Sequence, residues 1–165
     1  MTTSHARIAA VYHEVLSNRM GLETTMHGCA VRFEPVPGLT TQIILHENDP
    51  EYLQVQAGFN GAEIGLPTET ISRICGQTTA KVKGAKATVV RDSDVLFPST
   101  VVRDNDVLFS VEMLVAAPDC LPNPDYLQTV LPRALSMLVT AVNRTLTEFR
   151  FATITSEERL EQDLG

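Results

Sequence analysis

Residues 40–60 read TTQIILHENDPEYLQVQAGFN and contain two strand-like segments joined by a polar link. The first segment, 41–46, holds a β-branched run, and the second, 52–59, alternates in polarity. One face of the second segment carries the apolar side chains Leu53, Val55, Ala57 and Phe59. The other face carries the amides of Gln54 and Gln56. That period of two predicts a strand in a sheet that is covered on one side and wet on the other. The link 47–50, ENDP, favours a hairpin.

Further elements are predicted on both sides of this hairpin. Apolar side chains recur at helical spacing over 4–19, and Gly21 is a natural stop, so we predict a first helix there. A short strand is predicted over 29–33. Beyond the hairpin, residues 68–75 predict a short helix that ends before Gly76.

An internal repeat follows, in which VVRDSDVLF at 89–97 recurs as VVRDNDVLF at 101–109. Each copy joins an apolar pair to an apolar triplet through a polar turn, and these are the ingredients of hairpins. We predict three strands, near 85–91, 95–103 and 107–116. Pro98 makes the middle one an edge strand or a bent connection. The number of strands within the repeat stays open.

The last third of the chain predicts a long helix. Asn123 can cap this helix, and Pro124 fits its first turn. Apolar side chains then step by three or four residues as far as Phe149. Pro132 cannot donate its amide, so we predict a kink or a break into two helices there. Residues 156–165 carry four acidic residues and one arginine, and we expect them to fray.

The order of these elements indicates an α+β protein, because several strands follow one another without helices between them. We predict an antiparallel sheet of about five to six strands. An N-terminal helix, a short middle helix and a long C-terminal helix pack on it. Residues 1–155 form a single domain in this interpretation, and 156–165 form an acidic tail.

Composition limits the kinds of partner. The chain of 165 residues has a formal net charge of −7, whereas nucleic acids and anionic membranes attract cationic surfaces. No apolar run approaches ~18 residues, the length of a membrane-spanning helix. The N-terminal residues lack the apolar core and cleavage site of a signal peptide. We therefore expect a cytoplasmic protein that binds neither nucleic acid nor membrane.

The sequence predicts no catalytic site, no metal and no cofactor. It lacks a phosphate-binding glycine loop, a nucleophile elbow and an HExxH pair, and its three cysteines are widely spaced. Two alternatives stay open. His27 and Cys29 could form a reactive pair if the imidazole lies within hydrogen-bond reach of the thiol. The segment 46–49, HEND, could supply metal ligands, but a polar hairpin loop has the same composition.

Three stretches resemble the YbjN family: the strand pair at 40–60, the turn and strand RDNDVLFSVEMLVAAPD at 103–119, and the helix LPRALSMLVTAVNRTLTEF at 131–149. The resemblance implies the fold of type III secretion chaperones, an antiparallel sheet with helices packed on it. It implies no catalytic site, and it suggests a protein that binds or regulates other proteins.

The resemblance and the missing catalytic set lead to one hypothesis and one alternative. The hypothesis is a non-enzymatic, chaperone-like module that holds a polypeptide partner. The alternative is a small-molecule sensor or enzyme with a pocket between sheet and helix, which uses Cys29 and His27.

A homodimer is also expected, because proteins of the resembled fold commonly pair. The apolar arc of the last helix is too wide for a one-sided sheet to cover alone. The expected interface residues lie on that arc: Leu135, Met137, Leu138, Val139, Val142 and Leu146. A monomer results instead if the first two helices cover the arc.

Overall fold

The structure, a computed structural model, describes residues 4–91 and 105–163. These residues form three α-helices, one π-helix, one short 3₁₀ turn and six strands. In chain order they are α1 (His5–His13), the π-helix (Glu14–Arg19), β1 (Thr25–His27), β2 (Ala30–Phe33), β3 (Thr41–Ile44), β4 (Tyr52–Phe59), the 3₁₀ turn (Gly61–Glu63), α2 (Thr68–Lys81), β5 (Ala85–Val89), β6 (Val107–Leu114) and α3 (Pro124–Asp163).

The six strands form one antiparallel sheet in the order β1-β2-β3-β4-β6-β5. Strands β4 and β6 pair along their whole lengths, from Tyr52 opposite Leu114 to Phe59 opposite Val107. Strands β1 and β5 are the edges of the sheet. The predicted α+β fold, with its antiparallel sheet and its N-terminal, middle and C-terminal helices, is therefore confirmed.

The three helices pack on one face of the sheet and bury one hydrophobic core. Helix α3 lies across β4, β5 and β6, while α1 contacts β2 and α2 contacts β5. The alternation predicted for β4 is observed, because Leu53, Val55 and Ala57 all belong to this core. On the opposite face Gln54 is half-buried, but Gln56 is buried, although the pattern predicts a wet position.

The first predicted helix is present, but its second half is a π-helix. The Met20 N–H donates to the Val15 carbonyl at 3.0 Å, a bond across five residues. The helical segment ends before Gly21, whose φ of 71° is the left-handed conformation that glycine tolerates.

Strand β1 was not predicted, whereas the strand that follows it was. All three side chains of β1 are exposed, so the segment shows no apolar alternation. Gly28, with a φ of 59°, turns the chain between β1 and β2, and β2 matches the strand predicted over 29–33.

Helix α2 is longer than predicted, because the expected end before Gly76 is wrong. The helix continues through Gly76 to Lys81. Thr78, in the added turn, is buried and shares a hydrogen bond of 2.7 Å with Thr145 of α3. Contact with α3 therefore stabilises a helical turn that the local sequence does not favour.

Helix α3 is one continuous helix, so the predicted break at Pro132 is wrong. Pro132 lies on the exposed side of the helix, and its neighbours Leu131 and Ala134 are fully buried. Burial of these flanking side chains offsets the one backbone hydrogen bond that proline removes. The segment expected to fray from residue 156 is helical as far as Asp163. Its glutamate, arginine and leucine side chains all favour helix.

The repeat is described only in part. The strands predicted near 85–91 and 107–116 are present as β5 and β6, and they pair directly with each other. The strand predicted at 95–103 lies wholly outside the described residues, within the gap at 92–104.

Candidate functional site

The six side chains expected at an interface lie against the chain's own core. Three are buried and three are half-buried: Leu135, Leu138 and Val142, then Met137, Val139 and Leu146. The first three are inaccessible to a second chain in this conformation. Besides Tyr126 in its first turn, the exposed large apolar side chains of α3 lie further along the helix, at Phe151, Ile154 and Leu160, which are 64%, 52% and 63% exposed.

The side chains of His27 and Cys29 do not form a hydrogen bond with each other. His27 is exposed on β1, and Cys29 is half-buried in the turn after it. The backbone carbonyl of Cys29 accepts a hydrogen bond from the Leu45 N–H at 2.8 Å, which fixes this turn against the end of β3. Of the other thiols, Cys75 is buried, and burial raises its pKa to about 11. The Cys75 thiol is therefore protonated at neutral pH and a poor nucleophile.

The segment 46–49 has the hydrogen bonds of a hairpin loop. The Asp49 N–H donates to the His46 carbonyl at 3.3 Å. His46 Nε2 lies 2.9 Å from Gln54 Oε1, and Glu47 Oε1 accepts from the His5 N–H at 3.0 Å. Within residues 4–91 and 105–163, no three His, Cys, Asp or Glu side chains are grouped closely enough to hold a metal ion.

A groove lies between α1 and the β1–β2 hairpin, and sequence reasoning missed it. Its cavity has a volume of about 320 Å³. Its walls come from both elements: Ala9, Ala10, His13, Thr24, Thr25, Met26 and Val31. The side chain of Met26 is 52% exposed at its mouth. Small alanine side chains on α1 leave this space, because larger ones would fill it.

Among the described residues, no strand pairs with the outer edge of β1, which lies along one side of this groove. The residues that flank the two-residue turn, His27 and Ala30, face each other, and Gly28 at the first turn position has the φ of a type II′ turn. In such a hairpin the flanking pair exchanges hydrogen bonds, and the next pair, Met26 and Val31, does not. The N–H and C=O groups of Met26 therefore point away from β2, toward the open edge of the sheet.

A polar cluster closes one end of the groove. His13 Nδ1 lies 2.6 Å from Thr24 Oγ1, and Ser17 Oγ lies 3.0 Å from the same Thr24 oxygen. Ser17 is in the π-helix, and π-helical turns often occur at functional sites. Because these side chains bond to one another, they fix the position of α1 relative to the segment that leads into β1.

The face of the sheet opposite the helices carries a second polar network. Gln54 Nε2 donates to Glu112 Oε1 at 3.3 Å, and Lys86 Nζ lies 3.2 Å from Glu112 Oε2. Burial alone would raise the pKa of the Glu112 carboxyl. Hydrogen bonds from Tyr52, Lys86 and Gln54 outweigh this effect, so the pKa is lowered. Burial and the bond to Glu112 raise the pKa of Tyr52 to about 12. This network links side chains of β4, β6 and β5 across the sheet.

The groove was missed because its residues are far apart in sequence. Two weak signals were present. Met26 is the one apolar residue within 23–27, ETTMH, and Gly28 favours a tight turn. Neither signal indicates that α1 lies alongside, because that contact depends on the whole core.

The fold is that of an α+β protein in which three helices cover one face of a six-stranded antiparallel sheet. A similar arrangement is found in the crystal structure of YbjN from E. coli, which is described as a proposed transcription regulator. The two structures share a TM-score of 0.57 and 8% sequence identity, over 86% of this chain and 90% of that one. At this identity the likeness shows the fold. The sequence matches no protein-family profile and no curated protein.

Among the described residues, no helix is both long enough and apolar enough to cross a membrane.

Proposed function

We propose that this chain is a non-enzymatic, chaperone-like protein-binding module that holds an extended segment of a partner protein in the groove between α1 and β1. One observation carries the proposal: the free backbone edge at Met26 lies beside an apolar cavity of about 320 Å³. An extended segment that pairs with β1 satisfies the free N–H and C=O groups, and the cavity receives one of its side chains.

The geometry also defines the segment that fits. A residue paired opposite Met26 places its side chain on the same face of the sheet as Met26 and Val31, which is the face toward the cavity. Its two neighbours point to the other face, beside Thr25 and His27. We therefore expect an apolar residue at the central position of the bound segment, flanked by polar residues.

The likeness to YbjN supports a protein-binding or regulatory role at a coarse level. The three cysteines are free thiols, which agrees with the reducing cytoplasm that we propose as the site of action. We also propose a homodimer, because Phe151 and Ile154 expose apolar surface on the side of α3 that faces away from the core.

Selection of peptides on the full chain tests the groove. Peptides are selected on the immobilised protein from a phage-displayed random library, and the recovered peptides are synthesised and titrated. We expect a single apolar residue between polar neighbours in the recovered sequences. We also expect the Met26 N–H to become protected from hydrogen exchange when such a peptide binds.

Two variants separate groove binding from other modes. Ala10→Phe fills the cavity from the exposed side of α1, and Met26→Pro removes the outward-facing N–H without breaking a bond to β2. Both should weaken peptide binding. Ala6→Phe, an exposed alanine one helical turn earlier, does not line the groove and should bind normally. Equal binding by all three variants would show that the groove is not the binding site.

A further inference from the structure

The two sides of α3 have different environments near its C-terminal end. Of the α3 side chains up to residue 160, Phe149 is the last buried one, at 5% exposure. Phe151 and Ile154 lie on the opposite side of the helix from Phe149, since each residue advances the helix by about 100°. From Phe149 to Asp163 the helix extends for about 21 Å with an exposed apolar pair facing away from the core.

This outward side has the spacing of a helix that pairs with another helix. Residues 144, 147, 151, 154 and 158 follow one another at alternating steps of three and four. Such a stripe is the contact line between two paired helices. Only its centre, Phe151 and Ile154, is apolar, so the contact it predicts is short and centred on these two residues.

Charges of opposite sign lie beside this stripe, one before the apolar pair and one after it. Arg150 and Glu157 lie on one flank of the stripe, two helical turns apart, with the apolar pair between them. They are separated by about 10 Å along one helix, too far for an ion pair within the chain. Neither makes a salt bridge to any residue that the structure describes.

We propose that a second copy of this chain covers Phe151 and Ile154 by antiparallel pairing of the two α3 helices around a two-fold axis, an inference that rests on the homodimer of the proposed function. In this arrangement Phe151 of one copy packs on Ile154 of the other. Arg150 of one copy faces Glu157 of the other, and the symmetry makes this ion pair twice. In a parallel arrangement the flank with Arg150 and Glu157 would face the other flank of the partner helix, so Arg150 and Glu157 would not face each other.

The rest of the fold leaves room for this arrangement. Each core lies on the side of its own α3 that carries Phe149, and the paired sides face the other way. The two cores therefore lie on the outer sides of the helix pair. The π-helix that follows α1 contacts the first turn of α3 through Arg19 and Asp125, at the opposite end of α3 from Phe151. We therefore expect each copy to keep its own groove at β1 open.

Exchange of the two charges gives a direct test on the full chain. Arg150→Glu alone and Glu157→Arg alone each place like charges in contact at both symmetry-related sites. Each should raise the dissociation constant of the dimer by about threefold to tenfold. The double variant Arg150→Glu/Glu157→Arg restores opposite charges and should recover wild-type affinity. Phe151→Asp should raise the dissociation constant at least about tenfold.

Sedimentation velocity over a concentration series measures these constants, and far-UV circular dichroism checks the fold. Arg133→Glu is the matched control, because it makes the same charge change about five turns away on the same exposed side of α3, and should leave the dimer unchanged. A monomeric wild type at micromolar concentration would overturn both this inference and the proposed homodimer. A wild-type dimer that Phe151→Asp leaves intact, or that the double variant fails to restore, would overturn this inference alone.

Discussion

The hydroxyls of Thr78 and Thr145 are 2.7 Å apart and share a hydrogen bond between α2 and α3. Both side chains are buried, at 1% and 0% exposure, in an otherwise apolar contact between the two helices. This pair connects the added last turns of α2 to the long helix. It therefore links the part of α2 beyond Gly76 to the core.

Replacement of one threonine by valine should cost more than replacement of both. Thr78→Val or Thr145→Val leaves the other hydroxyl buried without a partner, and we expect each to lower the free energy of unfolding by about 1–3 kcal/mol. The double variant removes both hydroxyls and should be close to wild type. Urea unfolding of wild type, the two single variants and the double variant measures the coupling energy between the two hydroxyls. Additive losses would mean that the two hydroxyls do not depend on each other.

Gly84→Ala should destabilise the protein for two reasons that a control can separate. Gly84 has a φ of 79°, and a Cβ there would lie 2.7 Å from Met137 Sδ. Gly38 has a φ of 81°, but a Cβ there meets nothing within 4 Å. Gly38→Ala therefore measures backbone strain alone, about 1–3 kcal/mol. We expect a larger loss from Gly84→Ala in thermal unfolding. Equal losses would show that Met137 moves aside freely.

Acid should remove stability that depends on Glu112. Its pKa in the folded protein is lowered from the usual 4.5, so the folded state favours the ionised form. The contribution is present above the unfolded pKa and disappears as the pH falls through the folded pKa. Glu112→Gln should therefore be less stable than wild type at neutral pH, and the difference should shrink below about pH 4.5. Denaturant unfolding at several pH values checks this. A difference that is constant with pH would assign the loss to packing.

Thiol labelling should distinguish the three cysteines. Cys120 is exposed and should react first with a thiol reagent at neutral pH. Cys75 is buried and protonated, and it should react only when the protein unfolds. Mass spectrometry after timed labelling gives the order. If the half-buried Cys29 reacted faster than the exposed Cys120, the alternative of a reactive Cys29 and His27 pair would gain support.

Pro132→Ala should stabilise the protein. The proline removes one backbone hydrogen bond inside a helix that continues through it, and its position is exposed, so alanine creates no cavity. We expect a gain of up to about 3 kcal/mol in the free energy of unfolding. Differential scanning calorimetry measures the change. A lower melting temperature would indicate that the proline ring makes a contact that the fold requires.

The sequence predicts the parts of this fold in which burial repeats locally. Strand β4 was predicted with its observed bounds, because the core enforces a period of two on its side chains. Strand β1 and the last turns of α2 were not predicted. The side chains of β1 are all exposed, and Thr78 depends on Thr145, which lies far away in the chain.

The candidate sites are harder to predict for the same physical reason. Periodicity predicted a long helix with an apolar face for α3, but it does not show which of the apolar residues the core buries. The predicted interface included Leu138, which is fully buried, and omitted Phe151, which is mostly exposed. The groove depends on the packing of Ala9 near Met26, and no local pattern records that contact.

The central pairing of β4 with β6 has a consequence for the folding pathway. Strands β1 to β4 are joined by short turns, so their contacts are local and can form early. Strand β6 must reach β4 across a long intervening stretch that includes α2, and it must also close the sheet against β5. Closing that loop has a large entropic cost before the eight residue pairs of β4 and β6 repay it. We therefore expect the late addition of β6 to the sheet to set the folding rate. During synthesis, β1 to β4 can form a sheet before β6 is available, and β4 is then an exposed edge strand.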